Sequence, residues 1–268
     1  MSGYFGPHSA TWKIGSEAVL VFGGARAVLM QLAHPLVAMG VREHSSYMSD
    51  PFGRTERTFL LGQMLAFGSK QTAHKAASTI NRLHTHVYGT LPATAGAYAA
   101  GSPYRAHDPA LLLWVHATLI DTILLTYPLF VAPLSYEEQE RYYQESKALA
   151  QLLGLAPSAM PKTVADLHQY THEMVYSNRL AATPQARQLA RQVLFPPAPA
   201  ALMPLMHLNL QITSALLPAP VREIFDLRWS PQRQKVFDLS TAVVRLTLPR
   251  LPASLRTFPI TRRMMAGH

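Results

Sequence analysis

The 268-residue chain contains no cysteine. That absence excludes a disulfide framework, thiolate-bound zinc, an iron-sulfur cluster and a cysteine nucleophile, so any metal must be held by nitrogen or oxygen. Acidic residues are also scarce, with 15 Asp and Glu against 24 Lys and Arg, for a net charge of +9. The excess favours anionic partners. The densest basic cluster, from Arg245 to Arg263, is interrupted by Pro249, Pro252 and Pro259 and lacks the interleaved aromatics of a single-strand binder. Nucleic acid is therefore not an expected partner, whereas peripheral contact of this segment with anionic lipid stays open.

Internal repeats and low-complexity linkers are missing too, and the whole span 1–268 reads as a single domain. The N-terminal stretch MSGYFGPHSATWKIGSEAVLVFGG lacks the charged region, apolar core and small-residue cleavage site of a secretory signal, so a cytoplasmic location is expected. The longest apolar run, Leu111 to Leu134, has the length of a bilayer span. It carries His116, Asp121, Pro128 and Pro133. A central Asp alone costs about 2.5–3.5 kcal/mol on insertion, so a buried core helix is the better reading. No nucleophile elbow, phosphate loop or dinucleotide fingerprint is present.

What the chain does have is helix punctuation. Asp50-Pro51, Asp108-Pro109, Thr183-Pro184 and Ser230-Pro231 each place a capping residue before a proline at the first helical position. Ser135 with Glu138 forms a capping box, and Gly154 supplies the stop about five turns on. No segment alternates with period two, so the fold is predicted to be all-α. Helices are expected at 16–33, 51–67, 69–88, 109–127, 136–153, 163–181, 184–194, 201–216 and 231–247.

In NRLHTHVYG two histidines lie one residue apart. On a helical wheel centred on Ile80, His84 falls on the inward face with Ala76, Ala77, Leu83 and Val87, while His86 lies about 120° away. His84 is then either a satisfied core residue or a ligand, and its neighbours must decide. In GRTERTFLLGQMLAFG, Arg54 and Thr58 share a stripe with Leu61 and Leu65, and Arg57 stands slightly aside. This stripe is either a snorkelling arginine above a core or a polar lip over a pocket. His116 and Asp121 put one ionisable group on each face of the long apolar helix, and a buried charge demands a partner. Asp121 would accept a hydrogen bond from a ligating imidazole or neutralise an arginine. His168 and His172, with Glu173 beside them, have a metal-compatible spacing, but HQYTH lacks the glutamate of a zinc protease.

The succession ARAVLMQLAHPLVAMGVREHSSYMSDPFGRTERT, then Phe67-Gly68, then HTHVYG, then YRAHDPALLLWVHATLIDT resembles the oxygenase family of fungal mpaB oxygenases and bacterial latex clearing proteins. The resemblance runs from about Gly15 to the LPRLPASLR segment. It implies a helical, globin-like core holding haem b, with O2 and an apolar isoprenoid-like alkene as reactants. The haem-ligating histidine of latex clearing proteins opens a histidine, two residues, valine pattern, here His84 to Val87. Their arginine and threonine above the haem fit Arg54 and Thr58. The lysine that precedes the threonine there is Arg57 here, and an always-protonated guanidinium is a poor iron ligand, so an open distal side is expected. His116 and Asp121 are further candidates for the cofactor's surroundings, with His34 and His44 as secondary ones. A haem- or lipid-binding protein without turnover is the alternative reading. The oligomeric state does not follow from the sequence.

Overall fold

Proline behind a capping side chain decides where four of the helices begin. In the computed structural model, which describes residues 3–267, Asp50, Asp108, Thr183 and Ser230 each accept a first-turn backbone N–H, with proline next in the chain. The helices are α1 (Ala10–Gly15), α2 (Gly24–Leu32), α3 (Pro35–His44), α4 (Pro51–Phe67), α5 (Lys70–Thr85), α6 (Pro109–Phe130) and α7 (Tyr136–Leu152). There follow α8 (Val164–Val175), α9 (Pro184–Leu194), α10 (Met203–Leu216), α11 (Ala219–Ile224), α12 (Pro231–Thr247), α13 (Ala253–Arg256) and α14 (Pro259–Ala266). The fold is all-α. The one sheet among the described residues is a small antiparallel hairpin of β1 (Tyr88–Thr90) and β2 (Pro103–Arg105), which pairs Gly89 with Tyr104.

Strong caps gave accurate boundaries, as at α4, α9 and α12. The Ser135 capping box is present, and α7 ends where Gly154, at φ +93°, allows the chain to turn back with Leu155 N–H on Ala150 C=O. Elsewhere tertiary contacts moved the ends. The helix expected over 16–33 is a 3-10 turn (Ala18–Gly23) followed by α2, and α3, unforeseen, begins after it. Pro35 forces His34 into an extended conformation, which separates the two. The helix expected to reach 88 stops at Thr85 because the chain enters β1. The one expected to reach 181 stops at Val175, and Ala181 N–H bonds instead to Ala33 C=O at the end of α2.

The apolar run is the centre of the molecule. Trp114, Ala117, Thr118 and Thr126 of α6 are buried, with two apolar clusters around them. One joins Trp114 to α2 and α9 through Leu29, Met30 and Leu189, and the other joins Ala117 to α7 and α8 through Tyr143 and Leu167. Each fully buried leucine contributes roughly 1.5–3 kcal/mol. Among the described residues α6 is the one unbroken helix long and apolar enough to cross a bilayer, and most of its apolar window is covered by protein.

Its charge is covered as well. Asp121 accepts from the Arg26 guanidinium at 2.6 Å, and His168 Nδ1 lies 3.5 Å from its other oxygen. Burial pushes the Asp121 carboxyl up, but the hydrogen bond to His168 and the charge of Arg26 outweigh that, leaving it below the usual carboxylate range. Arg26 also donates to Leu216 C=O at 2.8 Å and to the Thr122 hydroxyl.

Candidate functional site

Helices α4 and α5 are joined by only Gly68 and Ser69, so they run antiparallel. Leu61, Met64 and Leu65 of the first share an apolar cluster with Ala76, Ala77 and Ile80 of the second. Carrying that register on by one to two turns sets Thr58 and Arg54 across from His84. The electrostatics agree with this placement. Burial, then the neighbouring His107, then the positive charge of Arg54 push the His84 imidazole below its ordinary 6.5, so it is neutral near pH 7.

His84 stands edge-on to His107, with ring centroids 5.7 Å apart. Its Nδ1 is buried and has no hydrogen-bond partner among the described residues. An unsatisfied buried nitrogen costs on the order of 1–3 kcal/mol, which a ligand or donor would recover. His86, in contrast, is the exposed C-cap of α5. Leu83 is 58% exposed rather than inward. It sits at the edge of the apolar stripe, in the last turn of α5.

Arg54 is half-buried, and burial pushes its guanidinium below the ordinary arginine range. Nη1 donates to the Thr58 hydroxyl and Nε to Ser45 Oγ at 3.4 Å. No carboxylate pairs with it among the described residues. Arg57 is exposed, and its donors go to the N-cap carboxylate of Asp50 at 3.0 Å and to Ser46 Oγ at 2.9 Å.

At Tyr88 and Gly89, just beyond the end of α5, stands a cluster of which the sequence reading had named only His44. Tyr104 is 2% exposed and donates its hydroxyl to the Glu43 carboxylate. Burial and that carboxylate push the phenol well above its ordinary range, so it keeps its proton. His44 Nε2 lies 3.0 Å from Tyr88 C=O and 3.4 Å from the Tyr104 oxygen. The glycine of HTHVYG now has a reason: a Cβ on Gly89 would sit 2.5 Å from the Tyr104 hydroxyl oxygen. The available signal was Glu43-His44 at the end of α3, together with a glycine two residues beyond Val87.

The other sequence candidates lie in contacts of their own. His116 Nε2 is 3.3 Å from Ser146 Oγ, and burial, then Lys147, push its pKa down to about 4. His34 meets the Tyr98 hydroxyl at 2.8 Å and is pushed down to about 4 by burial, then by Arg179. Asp121 serves Arg26 and His168, as described above. His168 and His172 diverge, since His172 stacks on Tyr176 and Glu173 accepts from Gln169. No group of three or more potential metal ligands occurs among the described residues. A groove of about 440 Å³ lies where α5 meets His107 and Leu152, lined by His74, Asn81, Arg82 and Thr85 together with the apolar Ala77 and Leu152.

Residues 12–246 match the family described as "ER-bound oxygenase mpaB/B'/Rubber oxygenase, catalytic domain". The chain is 26% identical over 237 residues to the uncharacterized proteins Mb2261 of Mycobacterium bovis and Rv2237 of Mycobacterium tuberculosis, covering 85% of itself and 88% of each relative. No solved structure matches it.

Proposed function

We infer the function from one premise: the chain belongs to the family of ER-bound oxygenase mpaB/B' and rubber oxygenase catalytic domains. On that footing we propose a haem b-dependent oxygenase that acts with O2 on the carbon-carbon double bond of an apolar, isoprenoid-like substrate, with His84 as the iron ligand. The observation that carries the proposal is the imidazole of His84, neutral, with a buried nitrogen that has no partner among the described residues, near the end of a helix and within the field of Arg54, which no carboxylate pairs among those residues. These residues fit the group. A neutral imidazole offers a lone pair to iron, and an unpaired guanidinium suits a propionate carboxylate.

Haem, when bound, supplies the redox chemistry by which O2 is activated. The chain's own residues do the rest. Arg54, steadied by Thr58 and Ser45, presents a fixed positive charge opposite His84. Arg57 stays protonated and is engaged by Asp50 and Ser46, so it does not compete as a ligand. Tyr104, held protonated and donating to Glu43, packs under Gly89 and fixes the turn that follows His84.

The absorption spectrum of the purified protein is the test. A Soret band that disappears in His84→Ala and persists in His86→Ala is expected. A colourless wild-type protein after haem reconstitution overturns the cofactor assignment. Haem bound without substrate-dependent oxygen consumption leaves a carrier or sensor.

A further inference from the structure

Helix α12 has two apolar faces. Phe237, Thr241, Val244 and Leu248 point inward, where Phe237, Val244 and Leu248 pack with Ile212 and Leu216 of α10 and with α6. Diametrically opposite, at helical spacing, stand Val236, Leu239, Val243 and Leu246, which are 66%, 69%, 53% and 62% exposed. Leu251 and Leu255 continue the exposed apolar surface beyond the helix. A buried stripe explains one face of an amphipathic helix. It does not explain a second stripe of four large side chains in water.

The surroundings of that stripe have one sign. From Arg228 to the end of the chain there are eight Lys and Arg against the single acid Asp238, so seven of the nine excess positive charges lie in the last 41 residues. Arg233, Lys235, Arg245, Arg250, Arg262 and Arg263 are exposed. Arg256 is paired with Glu17, and Asp238 is occupied by Gln234.

We propose that the outer face of α12, with the segment that follows it, docks the protein on an anionic phospholipid surface, the four apolar side chains entering the headgroup boundary and the arginines meeting lipid phosphates. Apolar burial and electrostatic attraction add on such a surface. A second copy of the chain would bring an identical basic rim against this one, which like-charge repulsion opposes. The attachment is peripheral and independent of the cofactor.

The test uses the full chain and vesicles of phosphatidylcholine, with or without phosphatidylglycerol. Co-sedimentation with the anionic vesicles is expected, about tenfold or more weaker with the neutral ones and weakened by salt. Val236→Ser, Leu239→Ser, Val243→Ser and Leu246→Ser combined should remove binding while the melting temperature holds, since these side chains are exposed. Arg245→Gln with Arg250→Gln should weaken it by about fivefold per charge. Leu246→Trp should show a blue-shifted emission with anionic vesicles only. Equal binding to both vesicle types, an unshifted tryptophan, or undiminished binding of the fourfold variant overturns the proposal. A concentration-dependent dimer that the fourfold variant abolishes assigns the face to a second copy instead.

Discussion

Arg26 and Arg54 are both drawn out of water, and they are partnered in different ways. Arg26 is 3% exposed and finds within the chain a carboxylate, a hydroxyl and a carbonyl oxygen, from Asp121, Thr122 and Leu216. Arg54 is half-buried and, among the described residues, its guanidinium meets only the hydroxyls of Thr58 and Ser45. The first is a finished interaction that ties α2 to α6 and α10. The second has positive charge left over, directed at the one inward histidine of α5. Among the described residues His116 and His34 each meet a hydroxyl through Nε2, while the buried Nδ1 of His84, like that of His34, has no partner; His84 differs in standing by the charge of Arg54. The completed network around Arg26 holds the fold together, and the incomplete one around Arg54 and His84 is where a ligand is proposed to bind.

The largest expected effect breaks the unfinished side of this comparison. His84→Ala should lose essentially all bound haem, His86→Ala should retain it, and pyridine haemochrome content measures both. Arg54→Ala should weaken haem retention severalfold yet leave the melting curve of the haem-free chain nearly unchanged. A strongly destabilised Arg54→Ala would move this residue to the structural class.

Arg26→Ala attacks the finished side and should cost about 3–5 kcal/mol in urea unfolding, because the buried Asp121 loses its guanidinium and keeps only His168. Arg26→Ala with Asp121→Asn should be milder than the sum of the single changes. Additive losses would deny the coupling.

Acidity sharpens the contrast next. His34 and His116 titrate near 4 in the folded chain and near 6.5 when unfolded, so between those values the unfolded state binds more protons. Stability therefore falls as pH drops from 6.5 towards 4 and gains no further loss from these groups below that. The shift is on the order of 3 kcal/mol for each. Replacing both with glutamine should flatten the pH dependence of the unfolding midpoint in that window. The smallest effect belongs to Arg57→Ala, which removes an exposed ion pair and should change stability by less than about 1 kcal/mol. Double replacement of His168 and His172 should leave haem content as it was.

The C-terminal segment links these regions. The family match ends at residue 246. Beyond it α14 returns to pack on α4, where Phe258 meets Phe59 edge-on at 4.9 Å and Thr261 donates to Gln63. The helix that carries Arg54 is thus braced by the same basic segment whose exposed face is proposed to meet lipid.

By itself the sequence determined what depends on neighbours a few residues away. The cap-proline pairs opened four helices, the Ser135 box and Gly154 bounded a fifth, and the 3.6-residue period set His84 inward and His86 aside. These are local interactions, complete within one or two turns, and they read the same in any fold. Only the tertiary structure decided which charges meet. Arg26 and Asp121 are 95 residues apart, and Tyr104 reaches Glu43 across 61. No periodicity along the chain encodes such a pairing. Nor could the sequence tell that α12 would bury one apolar stripe and leave the other in water, because a helix pattern gives the faces and only packing says which of them is covered.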